Sequence, residues 1–145
     1  MNRYFNDLKD IFLNIDGIQD NPLIYEFNNT IPADNGEELL HGTTILYPGN
    51  INGEYYMTKG HTHKISCAEV YYGIEGESLV LCEKDGESKI HKLSPGIAVY
   101  CPPGYAHRVI NNTENVCKFY CICRADAGHD YNIDFTQRFI KSIKE

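Results

Sequence analysis

The chain has 145 residues, enough for one domain with a substantial core. Its formal charge of -7 argues against a nucleic-acid surface, which needs basic stripes, though one pocket on an acidic protein can be locally positive. Eleven Tyr, six Phe and frequent Gly and Pro tilt it towards β structure, and no stretch reaches the ~20 apolar residues of a membrane span.

In chain order, residues 3–15 suggest a short helix, because Tyr4, Phe5, Leu8, Ile11, Phe12 and Ile15 fall on one stripe and Gly17 would end it. The segment shows no continuous apolar run of a signal peptide. LIYEF at 23–27 is a strand candidate inside an otherwise irregular region. From Thr43 onward strands are expected near 42–47, 54–58, 67–75, 78–83, 88–93, 97–101, 105–111 and 115–123. Asn52-Gly53, Glu75-Gly76, Asp85-Gly86 and Pro95-Gly96 supply turns between them. Such short, even spacing points to an all-β sandwich or barrel, not to parallel βαβ units. A closing helix is expected over 134–143, capped by Asp134 and buried through Phe135, Phe139, Ile140 and Ile143. No repeat or linker interrupts the chain, so residues 1–145 read as one domain with a barrel core of about 42–124.

The six cysteines, Cys67, Cys82, Cys101, Cys117, Cys121 and Cys123, include no CxxC pair, so they read as reduced thiols of a cytoplasmic protein. A zinc cluster of Cys117, Cys121 and Cys123 is the less favoured reading. His41 and His91 lack context and read as solvated or structural.

Chemistry concentrates elsewhere. His61 and His63, two apart on an extended segment, face the same way and can approach one ion together. Glu69 would be costly to bury on an inward face without a partner. Tyr71, two residues on, shares its face. His107 follows the rigid Pro102-Pro103-Gly104 turn. Imidazole suits Zn, Cu, Fe and Ni, the carboxylate shifts preference towards Fe, Mn and Ni, and three imidazoles with one carboxylate leave positions open for a substrate.

GHTHKISCAEVYYGIEG and PGIAVYCPPGYAH resemble the two motif blocks of the cupin superfamily. The resemblance implies a small jelly-roll β-barrel with short flanking helices, and His61, His63, Glu69 and His107 as metal ligands. TTILYPG, YYMTKGHTH, AEVYYGIEG, CPPGYAHRVIN and ADAGHDY are similar, across residues 43–131, to the cupin-type glucose-6-phosphate isomerases. That family interconverts glucose 6-phosphate and fructose 6-phosphate, for glycolysis and gluconeogenesis, with one divalent metal ion per subunit of a homodimer. It implies phosphate contacts from Thr44, Thr58, Gly60 and His129 and a substrate contact from Tyr25; Tyr71, on the face of Glu69, would reach the same cavity, and Arg124, which is new to the family's pattern, would compensate for the tyrosine missing at Cys123 if it points inwards. It assigns Glu69 as the base that moves a proton between C2 and C1, with a metal-assisted hydride shift as the alternative route. Gly104 stands where the family has a cavity-lining aromatic, and Cys123 where it has a phosphate-contacting tyrosine. A cupin iron dioxygenase and a non-catalytic sugar-phosphate sensor are the alternatives.

Overall fold

A computed structural model describes residues 1–30 and 32–142. Eleven strands are present among them: β1 Asn2–Tyr4, β2 Leu23–Thr30, β3 Leu39–Leu46, β4 Asn50–Ile51, β5 Glu54–Tyr55, β6 Glu69–Glu75, β7 Ser78–Lys84, β8 Glu87–Leu93, β9 Ala98–Cys101, β10 Ala106–Ile110 and β11 Cys117–Arg124. Six form one sheet in the order β1-β2-β3-β11-β6-β9, three form a second in the order β10-β7-β8, and β4-β5 make a small hairpin. All assigned neighbours within these sheets are antiparallel.

The turn chemistry explains why the strands break where they do. Asn52 and Gly53 hold φ of 48° and 92° between β4 and β5; Asp85 and Gly86 hold 50° and 79° between β7 and β8. Two consecutive positive φ values are what a tight two-residue hairpin requires, and Asn-Gly and Asp-Gly tolerate them. On β11 the side chains of Cys117, Phe119, Cys121 and Cys123 are buried at alternate positions. On β3 the same alternation buries Leu40, Thr44 and Leu46. Period-two burial on two paired central strands makes one wall of the core and turns Thr44 inward. All six cysteines are free thiols, five of them buried.

Among the described residues neither flank forms an α-helix. The first segment is β1, paired with β2, followed by two 3-10 turns at Phe5–Asp7 and Lys9–Ile11. The apolar residues Phe5, Leu8 and Ile11 are spaced by three, which is the 3-10 repeat, so the stripe reaches the core without an α-helix. Phe5, Leu8 and Phe12 are buried, whereas Tyr4 and Ile15, which a helix would have placed on that stripe, are exposed. At the other end, residues 134–142 carry no helix. The Glu83 carboxylate takes the backbone N–H groups of Thr136 and Gln137, and Phe139 and Lys141 exchange backbone bonds with Tyr55 and Gly53. These tertiary partners satisfy the backbone in an extended strap, and the weak capping signal at Asp134 does not prevail. Phe135 is buried beneath the strap while Ile140 is exposed. Ile143 lies outside the described residues.

If the N-terminal turns are core rather than appendage, Leu8→Ala lowers unfolding free energy by about 2–5 kcal/mol in denaturant titration. Leu13→Ala, at a side chain 61% exposed, changes it by no more than about 0.5 kcal/mol. Equal effects at the two positions would show that the segment does not pack as described.

Candidate metal centre and substrate cavity

His61 and His107 exchange both backbone hydrogen bonds, at 3.1 and 3.0 Å, as an isolated antiparallel bridge between β10 and the segment preceding β6. Residues directly opposite in such a pair send their side chains to the same side. Thr62 makes a second bridge with Asp130, again with two backbone bonds, at 3.0 and 2.8 Å. Alternation then puts the neighbours of each bridge, His61 and His63 on one segment and His129 and Tyr131 on the other, on a common face. The result is a tight imidazole cluster: the His61 ring centroid lies 4.5 Å from that of His107, 5.1 Å from His63 and 4.2 Å from His129. Glu69 opens β6, in register with Cys123 of β11 on one side and Cys101 of β9 on the other, and is buried.

One ligand atom from each of His61, His63, Glu69 and His107 lies within 4.8 Å of the others. Glu69 Oε1 is 3.4 Å from His63 Nε2, and Oε2 is 3.3 Å from His107 Nε2. His107 Nε2 is also 3.2 Å from His61 Nε2. The outer nitrogens settle the roles. His63 Nδ1 sits 3.1 Å from the Gly128 carbonyl, and His107 Nδ1 3.2 Å from the Tyr105 carbonyl. A carbonyl only accepts, so in the neutral rings Nδ1 carries the hydrogen and the Nε2 lone pairs point inward. His63 Nε2 has no hydrogen-bond partner and is buried. Inward lone pairs, a carboxylate and fixed outer N–H groups fit a divalent cation of the Fe, Mn, Ni or Zn kind.

The four buried groups bias one another's ionisation. Burial, helped by the His107 charge, pushes the His61 imidazole well below its ordinary value and so keeps it neutral. Burial alone would raise the Glu69 carboxyl, but the adjacent His107 and His63 rings override it and hold the group well below the usual carboxylate range. Burial also lowers His63, yet the neighbouring Glu69 carboxylate more than offsets this and raises it. Tyr71 is buried and pushed well above the ordinary phenol value, so it stays protonated beside Glu69.

A cavity of about 260 Å³ opens onto this cluster. Its wall includes His61, Glu69 and Tyr71 at one part, and Tyr25, Thr44, Thr58, Gly60 and His129 elsewhere. Gly60 is required there: its φ is 80°, and a Cβ would lie 2.7 Å from the Phe135 ring. Behind it, the buried Arg108 donates to the Lys59 carbonyl at 2.6 Å and stacks on Phe135, fixing the segment that carries Thr58 and Gly60. Burial lowers His129, with the His63 charge adding to the effect. Its ring stacks on Tyr131 at 5.7 Å.

Arg124 is not brought to the cavity. It makes a two-bond fork with Asp126, at 2.9 and 2.8 Å, on the exterior. Gly104 is not on the wall either; it holds a φ of 83° in the turn before β10 and adjoins Lys84, so an aromatic there would not line this cavity. His41 is half-buried against Tyr120 and His91 is exposed, both away from the cluster. Arg3, Lys59, Phe119, Cys121 and Tyr131 line the cavity without having been singled out in the sequence. Lys59 sits inside the TKGH block and Tyr131 inside GHDY, so motif membership was an available signal for these two; Arg3 was hidden in the expected helix.

Among solved structures, an oxalate oxidase in complex with glycolate superposes with a TM-score of 0.62 at 14% identity, over 74% of this chain and 55% of that one. A cupin domain of an XRE family transcriptional regulator from Enterobacter cloacae gives 0.51 at 21% identity, over 68% and 93%. The chain is thus a cupin barrel with a three-histidine, one-glutamate donor cluster facing a cavity. Residues 3–140 match the family described as glucose-6-phosphate isomerase (GPI). A glucose-6-phosphate isomerase of Thermococcus kodakarensis is 37% identical over 149 residues, which span 99% of this chain and 79% of the relative. One of Pyrococcus furiosus is 36% identical over 129 residues, spanning 88% and 68%. The chain belongs to the glucose-6-phosphate isomerase family, in its cupin form.

Bound metal is expected to be displaced by protons, because the ligands must be deprotonated. Metal content after dialysis, measured by elemental mass spectrometry, stays near one ion per chain at pH 7.5. It falls as the pH drops through the ordinary imidazole range, about 6.5 and below. His107→Ala empties the site at neutral pH as well. Retention of a full ion by that variant would place the metal elsewhere.

Proposed function

We propose that the chain interconverts glucose 6-phosphate and fructose 6-phosphate at a single divalent ion held by His61, His63, Glu69 and His107. The observation that carries the reading is that the donor cluster and the Thr44, Thr58, Gly60 and His129 group share one cavity, in a chain related over nearly its whole length to glucose-6-phosphate isomerases. A cation bound there would act as a Lewis acid towards the two sugar oxygens on C1 and C2.

The chain's own groups do the rest. Thr44, Thr58 and the Gly60 N–H donate to the phosphate, fixing the reacting end at a set distance and orientation. Thr58 Oγ1 accepts the Val109 N–H at 3.0 Å, which leaves its own proton free to donate into the cavity. Glu69 is the carboxylate on the cavity wall; it takes the proton from C2 and returns it to C1, while the hydroxyl proton of O2 passes to O1. Its low resting basicity, set by His63 and His107, means that the proton is accepted as those contacts loosen. Tyr71, protonated and edge-on to His107 at 5.9 Å between centroids, is a donor towards the same end of the sugar. Tyr25 and Tyr131 line the same cavity, and their rings exclude water from it. The same reading makes the whole chain one cupin domain, acting in the cytoplasm as a homodimer.

A coupled assay from fructose 6-phosphate to glucose 6-phosphate, with Fe, Mn, Ni and Zn supplied in turn, is expected to show turnover with at least one of them. Metal-loaded protein that never turns over would contradict the reading. Glu69→Gln is expected to lower kcat by about 10²- to 10⁴-fold, while binding of fructose 6-phosphate persists. A near-normal rate would remove Glu69 from the proton transfer.

A further inference from the structure

The cavity carries positive groups that the donor cluster does not use. Arg3 lies on β1, in register with Tyr25 of β2, and lines the cavity together with Tyr25, Thr44, Thr58, Lys59 and Gly60. Its Nε is buried and has no hydrogen-bond partner among the described residues. A guanidinium N–H left dry in this way is costly unless something accepts from it. Lys59 also lines the cavity, with Nζ 4.7 Å from the centre of the Tyr131 ring. Glu69 is the one carboxylate on the wall among the described residues, and both of its oxygens face imidazoles. Among the described residues the ion pairs involve neither Arg3 nor Lys59. A protein of net charge -7 has therefore placed two cations without an ion-pair partner among the described residues on the wall of this cavity.

We propose that Arg3 is a phosphate-binding residue of this cavity, sharing the phosphate of the substrate with Thr44, Thr58 and Gly60. This rests on the isomerase reading for the identity of the substrate. A phosphate monoester is close to a dianion at neutral pH, and hydroxyls with one backbone N–H are neutral donors. The planar guanidinium supplies both charge and a fork of N–H groups matched to phosphate oxygens; Lys59 adds a point charge. Arg3 also ties substrate binding to the docking of β1 on β2, so the N-terminal strand belongs to the active site and not only to the edge of the sheet. Arg3 and Tyr25 are register partners on the wall of one cavity, and the Lys59 backbone bond and the Arg3 charge oppose the burial that raises the Tyr25 phenol.

The test compares metal-loaded wild type with Arg3→Ala and Arg3→Lys. Arg3→Ala is expected to raise KM for fructose 6-phosphate about 10- to 100-fold, the range of a hydrogen bond to a charged group, with kcat changed less than about threefold. Competitive inhibition by inorganic phosphate weakens in parallel, the melting temperature stays close to wild type, and Arg3→Lys recovers part of the loss. KM and phosphate inhibition unchanged in Arg3→Ala would overturn the proposal; so would a loss of kcat and melting temperature that Arg3→Lys restores without moving KM. On the unmutated protein, phenylglyoxal labelling of Arg3, mapped by peptide mass spectrometry, slows in the presence of inorganic phosphate; labelling at the same rate also overturns it. If wild type fails to isomerise fructose 6-phosphate, the isomerase reading falls, and the phosphate protection of Arg3 still decides this one.

Discussion

Glu69 and three imidazoles are buried together, and the rest of the site depends on how that cluster is held. His61 Nε2 and His107 Nε2 lie 3.2 Å apart, close enough to need a cation or a proton between them. A carboxylate placed 3.3 and 3.4 Å from two of the rings would be costly to bury alone. Each group makes sense only with its neighbours, and together they make sense around a divalent cation. The barrel supplies the rigidity: His107 is on β10 of the three-stranded sheet, Glu69 on β6 of the six-stranded one, and the His61–His107 bridge ties the segment preceding β6 to β10.

From that constraint the cavity follows. Because Thr62 bridges Asp130, the segment after β11 runs beside the histidine segment and delivers His129 and Tyr131 to the same face. Because Arg108 grips the Lys59 carbonyl and stacks on Phe135, the C-terminal strap fixes the backbone that offers Thr58 and Gly60. Glu83, by taking two backbone N–H groups of the strap, anchors it. Electrostatic preorganisation is thus spread over elements distant in sequence, which is the condition for holding a small phosphosugar in one orientation.

Much of this was legible in the amino-acid order. Strands separated by Asn-Gly and Asp-Gly turns appear close to where alternation and turn chemistry place them, because those signals are local. The donor set was legible too, since two-residue spacing and a rigid proline turn act at short range. The ends were not. Phe5, Leu8 and Ile11 satisfy a helical stripe and a 3-10 run almost equally, and pairing of β1 with β2 decided between them. The strap at 134–142 follows from Glu83, fifty residues away in sequence, which no local propensity encodes. Arg124 resembled a pocket residue by its place beside GHDY, but Asp126 two residues later claims it on the outer surface. Arg3, hidden in the misread first segment, is the cation that reaches the cavity instead.

The account turns on whether one divalent ion occupies the Glu69 cluster. Anomalous diffraction from crystals of the metal-replete protein, collected at the absorption edge of the ion found by elemental analysis, tests this directly. The account predicts a single strong peak coordinated by His61 Nε2, His63 Nε2, His107 Nε2 and a Glu69 carboxylate oxygen. A peak among Cys117, Cys121 and Cys123, or no peak within bonding distance of Glu69, would contradict it.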